Sequence, residues 1–229
     1  MTKKLLCVAA ISALAVCAAA FGGCYDAGTF VSESRSYSGE EVSSLSVEVT
    51  DREVEVVPSA GGDISIEYFS SEKEYYDITL EGGELKIELV LDKEWSDFIG
   101  TQPDMEYRKI KVSVQQTLSS IEIFTTNEDI IFDSVEAAKS VNLNSNGGNV
   151  QVDGAAAGES ISLTSKNGNI SGSVSGTYGD YTISCTIKKG NSNLVSNAGG
   201  DKQLNLDCNN GDIDIPVSYT HLRAHETSA

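Results

Sequence analysis

Few residues of this chain are of the types that perform catalysis or bind metal ions, and they are not grouped. The only two histidines, His221 and His225, lie close to the C-terminus. The region before them therefore lacks the commonest general base and the commonest metal ligand. The five cysteines form no Cys-x-x-Cys pair, so a zinc site is not expected. We predict that the protein is not an enzyme, with an enzyme acting on polysaccharides as the less favoured alternative.

Cys24 is the residue with the clearest chemical role. It follows two glycines and an uncharged apolar run, residues 5–21, which two lysines precede. A basic start followed by an apolar run is typical of a secretory signal, and small residues before a cysteine resemble the bacterial lipobox. We therefore predict a lipoprotein signal peptide, an apolar helix, over residues 1–23, with lipidation of Cys24 and membrane attachment through that lipid. Cleavage after Ala20, or a retained anchor, is the alternative.

Oxygen-bearing side chains stand beside glycines at residues 149–153 and 212–214. This arrangement is similar to calcium-binding rolls, but the Gly-Gly-x-Gly-x-Asp repeat of such rolls is absent. We therefore predict that no cofactor is bound and that the corner carboxamides bond the backbone of neighbouring turns. Calcium binding is the alternative.

Three aromatic residues, Trp95, Phe98 and Tyr107, lie in one long insertion, residues 92–108. They could form a platform for a sugar or a peptide, because aromatic rings offer large apolar faces with a polar tip. The alternative is that this insertion only covers an end or a face of the domain.

The charge of the chain limits its partners. It carries 34 acidic and 16 basic residues, a net charge of −18. Nucleic acid is not an expected partner, because binding phosphates needs clustered lysine and arginine. A hydrophobic content of 40% is enough for a folded core. An envelope protein or a glycan remains as the expected partner.

Short runs in which apolar and polar residues alternate recur throughout the chain, and this period of two predicts half-buried strands. From residue 121 onward the strands repeat at a fixed interval. One column holds Ile121, Val141, Ile161, Tyr181 and Leu204, at spacings of 20, 20, 20 and 23. A turn rich in Asn and Gly follows each strand, and such a period predicts a parallel β-solenoid with coils of about 20 residues. A chain of β-hairpins is the alternative, since Asn-Gly is also a hairpin signal.

Two cysteines, Cys185 and Cys208, fall in a column with Thr125, Ser145 and Ser165. The repeat therefore predicts that they are adjacent on neighbouring coils. Stacked strands place Cα atoms about 4.8 Å apart, which is inside the range that a disulfide tolerates. An exported protein can also be oxidised. A disulfide and two buried free thiols both fit this pattern.

The remaining boundaries follow from composition. Residues 24–41 are rich in Ser, Gly and Glu and predict a flexible tether, residues 42–216 form the predicted β-solenoid domain, and residues 217–229 are predicted to be a non-native tail. The string from 217 to 227 resembles a translated sequencing adapter. If the native end is missing, the last coil should expose an unpaired strand edge.

Three motifs follow, with small departures, the pattern apolar-x-apolar-x-Ser/Thr-x-Asn-Gly-Asn/Asp-Ile/Val, and they lie at Leu143–Val150, Leu163–Ile170 and Leu206–Ile213. This pattern resembles the bacterial putative adhesin family, also called toastrack-like domains, over residues 42–216. The resemblance implies an all-β, right-handed parallel β-solenoid that is secreted or lies on the cell envelope, without known catalytic residues.

These observations lead to one main functional hypothesis. The protein is expected to be exported and lipid-anchored on the extracytoplasmic face of a bacterial membrane, where its solenoid serves as a binding or adhesion module. The alternative, which the family resemblance also implies, is a sensor or regulator of envelope stress that acts through a protein partner.

Overall fold

The computed structural model describes residues 29–92, 102–115 and 118–217. These residues form strands and include two short 3-10 turns, Met105–Arg108 and Tyr178–Asp180, so the all-β prediction is confirmed. The strands are β1 (Val31–Tyr37), β2 (Ser44–Glu48), β3 (Glu53–Pro58), β4 (Ile64–Ser70), β5 (Glu74–Glu81), β6 (Glu84–Leu91), β7 (Lys109–Val114), β8 (Ser120–Thr125), β9 (Ile130–Asp133), β10 (Glu136–Ala137), β11 (Ser140–Ser145), β12 (Val150–Ala157), β13 (Ser160–Ser165), β14 (Ile170–Val174), β15 (Tyr181–Lys189), β16 (Lys202–Asn210) and β17 (Ile213–Asp214).

The strands form two sheets with the core between them. Sheet 1 has the order β1-β4-β7-β3-β9-β12-β14-β17, with β10 attached to β12, and sheet 2 has the order β15-β16-β13-β11-β8-β2-β6-β5. Successive coils contribute one strand to each sheet, and the central pairs are parallel. Val141 lies opposite both Ile121 and Ile161, as the repeat predicts. The coils therefore stack as a solenoid, because each inner face is buried only by its neighbours.

The order of the coils in space differs from their order in the sequence at both ends. Near the N-terminus, β2 lies between β6 and β8, and β3 lies between β7 and β9. Near the C-terminus, β16 lies between β13 and β15. At each end, one coil therefore lies in space between two coils that follow each other in the sequence.

The C-terminal edge differs from the sequence prediction for this reason. The coil that contains β16 and β17 does not end the solenoid, because β15 pairs with β16 in sheet 2 and Ser192 forms a parallel bridge with Ile213 of β17 in sheet 1. The expectation that residues 204–215 expose an unpaired edge is therefore wrong. The outermost strand is β15, and the following loop covers part of it. Ile183 and Asn197 exchange backbone hydrogen bonds of 2.8 and 2.9 Å. The chain thus protects an edge that would otherwise invite pairing.

The N-terminal end of the solenoid contains antiparallel strands. β4 pairs antiparallel with β7, and β5 pairs antiparallel with β6. β4 and β5 follow the inserted strands β2 and β3 in the sequence and run in the opposite direction to their partners, so this end departs from the uniformly parallel solenoid that the sequence predicts.

The prediction of a flexible tether over residues 24–41 is wrong for most of the described part. Val31–Tyr37 forms β1, which pairs antiparallel with β4 over its whole length. Glu33 fixes this strand, because its carboxylate accepts hydrogen bonds from the Tyr68 hydroxyl at 2.9 Å and from the Ser70 hydroxyl. The serine-rich composition suggested a linker, but alternate residues of this segment face the domain. Residues 24–28 lie outside the described residues.

A buried ion pair lies at this same end. Arg52 follows β2 and contacts Glu74 at the start of β5, with the two side chains 3% and 1% exposed. The guanidinium also donates to the Asp51 carbonyl at 3.0 Å. Beside the pair, burial raises the pKa of Tyr76. Neither charged residue stands in a motif, so only the three-dimensional structure shows that they meet.

The other terminal predictions fall at the limits of the described residues. Val217, which we assign to the foreign tail, is 5% exposed and belongs to the core, so the domain extends at least to that residue. Residues 218–229, the signal peptide at 1–23 and Cys24 lie outside the described residues. Within the described ranges, no helix has the length and hydrophobicity that a membrane-spanning segment requires.

Candidate functional site

The predicted adjacency of Cys185 and Cys208 is wrong by two residues. Cys185 lies opposite Leu206, and Cys208 lies opposite Ile187. The two thiols are therefore diagonal neighbours. Diagonal positions are about 7–8 Å apart, beyond the usual Cα separation of a disulfide. Both cysteines are free.

The register shift originates before β15. Leu204 lies opposite Ile161 on one side and opposite Ile183 on the other. Ile183, not Tyr181, therefore occupies the column of Ile161, and this coil is 183 − 161 = 22 residues long. The 3-10 turn at Tyr178–Asp180 lies in this longer coil. A constant period of 20 could not reveal the two additional residues.

Cys208 continues a column of buried hydroxyl residues, as the sequence predicts. It lies opposite Ser165, which in turn lies opposite Ser145. Each side chain donates to a corner carbonyl of the adjacent coil: Ser165 to Gly148 at 2.9 Å and Cys208 to Gly168 at 3.4 Å. This column stabilises the corners, because it satisfies carbonyl groups that are shielded from water.

The two thiols should therefore differ in reactivity. Burial raises the pKa of the Cys208 thiol, with Asp207 and Asp212 adding to the shift, and the residue is 0% exposed, whereas Cys185 is half-buried. A raised pKa leaves less thiolate at pH 8, so iodoacetamide should modify Cys185 about tenfold faster or more in the folded protein. Peptide mass spectrometry measures both rates. The urea-unfolded chain, in which the rates should converge, is the control, and faster labelling of Cys208 in the folded protein would contradict the assignment.

The corner residues form the carboxamide ladder that the sequence predicts. Asp129 Oδ1 accepts from the Asn149 backbone N–H at 2.7 Å, and Asn149 Oδ1 accepts from the Asn169 N–H at 2.9 Å. The series continues from Asn169 to the N–H of Asp212 at 2.9 Å, and from Asp212 to the N–H of Asn191 at 2.7 Å. Each side-chain oxygen thus bonds the backbone of the next coil.

A shallow groove of about 310 Å³ lies beside this ladder and contains the residues considered for calcium. Asp212 and Asp214 both line the groove, and Asp214 already accepts a hydrogen bond from Asn193 Nδ2 at 2.8 Å. Among the residues that the structure describes, no three His, Cys, Asp or Glu side chains are grouped as metal ligands. The groove residues serve the stacking of coils, and we assign no ion to them.

Tyr107 lies in an aromatic cluster, but with partners that the sequence did not group with it. Its ring stacks on Phe30 with centroids 5.1 Å apart, and Phe69 meets it edge-on at 5.4 Å. This cluster joins the start of β1 to β4, so Tyr107 has a packing role and one face of its ring is covered. Trp95 and Phe98 lie outside the described residues.

Five of the eight strands of sheet 2 carry mainly hydroxyl and carboxamide side chains on their outer side. We name this surface the neutral face and define it by three outward positions on each of five adjacent strands. It comprises Ser120, Glu122 and Phe124 of β8; Ser140, Asn142 and Asn144 of β11; Ser160, Ser162 and Thr164 of β13; Gln203, Asn205 and Asp207 of β16; and Thr182, Ser184 and Thr186 of β15. The neutral face carries two carboxylates and no basic residue. Its share of acidic residues is close to that of the whole chain, 34 of 229, and the feature that distinguishes it is the absence of lysine and arginine.

The outer side of sheet 1 shows the contrast. There Lys109 contacts Glu53 at 2.9 Å, and Lys111 contacts Glu55 at 2.8 Å. The two lysines are exposed, so each pair contributes little to stability. A similar pair, Lys86 with Glu88 at 2.8 Å, lies on β6 of sheet 2. The paired charges thus belong to the N-terminal coils of both sheets, and the neutral face lies on the coils beyond them.

Hydroxyl and carboxamide groups give the neutral face both donors and acceptors. Its rows follow the strand spacing of about 4.8 Å, and positions along a strand repeat every 6.6 Å or so. Asn142 Nδ2 donates to Glu122 Oε1 at 3.2 Å, whereas Asn144 Oδ1 is buried without a hydrogen-bond partner and is not accessible to a ligand in this conformation. Phe124 adds a half-buried ring beside Asn144. Such a surface suits a flat, uncharged, polar ligand that makes many weak hydrogen bonds.

The sequence analysis did not find the neutral face. Its residues are too common to form a motif, and they lie on separate coils. The signal was present at the polar positions between the buried columns, which hold Asn, Ser and Thr from residue 140 to residue 164.

The fold and its repeating corners place this chain among known proteins. It belongs to the Toastrack DUF4097 family, whose model matches residues 42–227. This assignment confirms the toastrack resemblance that the Asn-Gly motifs suggested. The matched range extends ten residues beyond the last described residue, Val217.

Solved structures with a similar fold share little sequence with this chain. A structure described as a putative cell adhesion protein from Clostridium sporogenes is 11% identical, with a TM-score of 0.55, covering 81% of this chain and 98% of its own. A putative adhesin from Bacteroides fragilis is 14% identical, with a TM-score of 0.32, covering 81% of this chain and 97% of its own. A comparison with curated proteins finds no match. The first structure supports the fold, and at this identity it supports nothing more.

Proposed function

We propose that this chain is a non-catalytic binding module of the bacterial envelope whose neutral face contacts an uncharged glycan. In this proposal the signal peptide at 1–23 directs export, and Cys24 carries the lipid that holds the domain on the extracytoplasmic side of the membrane. The coils wind to the right, which is the usual hand of crossovers between parallel strands. The similar structures described as adhesion proteins are consistent with such a role.

The observation that carries this proposal is the grouping of hydroxyl and carboxamide side chains on the neutral face, where twelve of the fifteen positions are Ser, Thr, Asn or Gln and none is basic. A surface that only needed to remain soluble could carry lysine, arginine and further acidic residues in their place. Serine, threonine and asparagine side chains instead match the hydroxyl groups of a neutral sugar chain, which also donate and accept hydrogen bonds. An acidic polymer would meet repulsion from a protein with a net charge of −18.

Retention of the purified chain on insoluble chitin and cellulose tests the proposal, with insoluble pectate as the acidic polymer for comparison. The double variant Asn144→Lys with Thr164→Lys places two long charged side chains on adjacent strands of the neutral face. It should reduce retention on the neutral polymers about tenfold or more, because each bound hydroxyl must then desolvate a charge.

The matched control places the same two residues on the opposite sheet. Gln151 and Ser171 are also adjacent on neighbouring strands, β12 and β14, so Gln151→Lys with Ser171→Lys makes the same charge change on the other face. This control should retain the binding of the unsubstituted chain. Equal losses in both double variants, or no retention of the unsubstituted chain on either neutral polymer, would overturn the proposal.

A further inference from the structure

Sheet 1 ends in a strand that has only one partner among the described residues. β1 pairs with β4 on one side, and its other edge meets no strand of the described ranges. The strand is seven residues long and contains no proline. It therefore presents a row of backbone donors and acceptors that another strand can bind.

The sequence of β1 is complementary to itself when two copies run antiparallel about Ser34. In that register Glu33 lies opposite Arg35 of the partner subunit, and Val31 lies opposite Tyr37 of the partner subunit. Ser34 lies opposite the same residue of the second copy. Two opposite-charge pairs and two apolar pairs result, related by a twofold axis, as in a symmetric dimer interface.

Other registers do not have this property. Centring the pair on Glu33 or on Arg35 places identical charges opposite each other, and a parallel pair in register does the same. Charged residues on an edge strand normally prevent pairing. In β1 the alternation of one negative and one positive residue instead selects a single antiparallel register.

The hydrogen bonds that Glu33 and Arg35 form within the chain do not use all of their donor and acceptor positions. Glu33 accepts from Tyr68 and Ser70, and a carboxylate can accept about four hydrogen bonds. Arg35 is exposed, donates to the Ile78 carbonyl at 3.4 Å and also interacts with the hydroxyl groups of Tyr37 and Tyr68, which leaves some of its roughly five N–H groups for a partner. We propose that a second copy of this chain pairs with β1 in this register, so that sheet 1 continues from one copy into the other. This proposal does not depend on the ligand of the neutral face.

Cysteine cross-linking of the full chain tests the register directly. Ser32, Ser34 and Ser36 are exposed and alternate with the charged residues, so each can be replaced without disturbing the core. Directly opposite residues of an antiparallel pair have Cα atoms about 4.5–5.5 Å apart, which permits a disulfide. Ser34→Cys should therefore form a disulfide-linked dimer on a non-reducing gel. Ser32→Cys alone should not, but it should cross-link when mixed with Ser36→Cys. The unsubstituted chain shows the background from the native cysteines.

A second experiment reverses charges on β1 in the Ser34→Cys variant and measures the yield of the disulfide-linked dimer. Arg35→Glu places like charges opposite each other and should lower the dimer yield about fivefold or more. Mixing it with a Glu33→Lys copy restores both opposite-charge pairs and should restore the yield. Lys166→Glu, an equal charge change at an exposed residue of another coil, should have no effect. Equal cross-linking of Ser32→Cys and Ser34→Cys, absence of cross-linking by Ser34→Cys, or insensitivity to Arg35→Glu would overturn the proposal.

Discussion

Leu163→Asp is expected to unfold most of the parallel coils. Leu163 is fully buried, and it lies directly opposite Leu143 on one side and Leu206 on the other. A carboxylate at this position would have no partner in the core, and a buried unpaired charge of this kind costs about 4–5 kcal/mol or more. Urea unfolding followed by circular dichroism should show a large fall in the free energy of unfolding, or no folded baseline at all.

The matched control introduces the same residue three positions further along the chain. Lys166 is exposed at the corner after β13. Lys166→Asp should change the free energy of unfolding by less than about 0.5 kcal/mol. If the two variants had similar urea midpoints, the assignment of Leu163 to the buried column would be refuted.

The central coils could be predicted because the sequence repeats there without interruption. From Ile121 to Ser165 each coil has 20 residues, and the structure pairs Ile121, Val141 and Ile161 directly. A fixed period aligns the buried columns without any knowledge of the fold. The same reasoning failed at Tyr181, because the coil before Ile183 is two residues longer and the repeat alone cannot locate an insertion.

The two ends could not be predicted for a different reason. Strand order there joins segments that are far apart in the sequence, as the pairing of β2 with both β6 and β8 shows. The alternation of apolar and polar residues determines which face of a strand is buried, but it does not determine which strand lies beside it. The strand at Val31–Tyr37 was missed because serine alternates with only two apolar and two charged residues in it, a composition that is typical of a linker.

The candidate sites divide in the same way. The ladder from Asp129 to Asn191 was predictable, since the corner residues recur in the sequence and their side chains have a known structural use. The neutral face was not, because it exists only where several strands stand side by side. Its definition required the register of β15 and β16, where the repeat is irregular.

Gly168→Ala is expected to destabilise the corners strongly, although it adds only one methyl group. Gly148, Gly168, Gly211 and Gly190 form a column in which each glycine faces a backbone carbonyl of the next coil. A Cβ on Gly168 would overlap the carbonyl of Gly148, and that carbonyl also accepts from the Ser165 hydroxyl. The backbone of one neighbouring coil lies on one side of Gly168 and that of the other coil lies on the other side, so the corner can relax only if the coils move apart. We expect the free energy of unfolding to fall by about 3 kcal/mol or more.

The control for this prediction is a glycine with free space around it. A Cβ on Gly61 would meet no atom within 4 Å, and its backbone is not in the left-handed region. Gly61→Ala should therefore change the free energy of unfolding by less than about 0.5 kcal/mol in the same urea titration. If Gly168→Ala were equally neutral, the corners would not set the spacing between coils. The side-chain ladder and the sheets would then be sufficient to hold the stack, and the glycines that recur in the sequence would need another explanation.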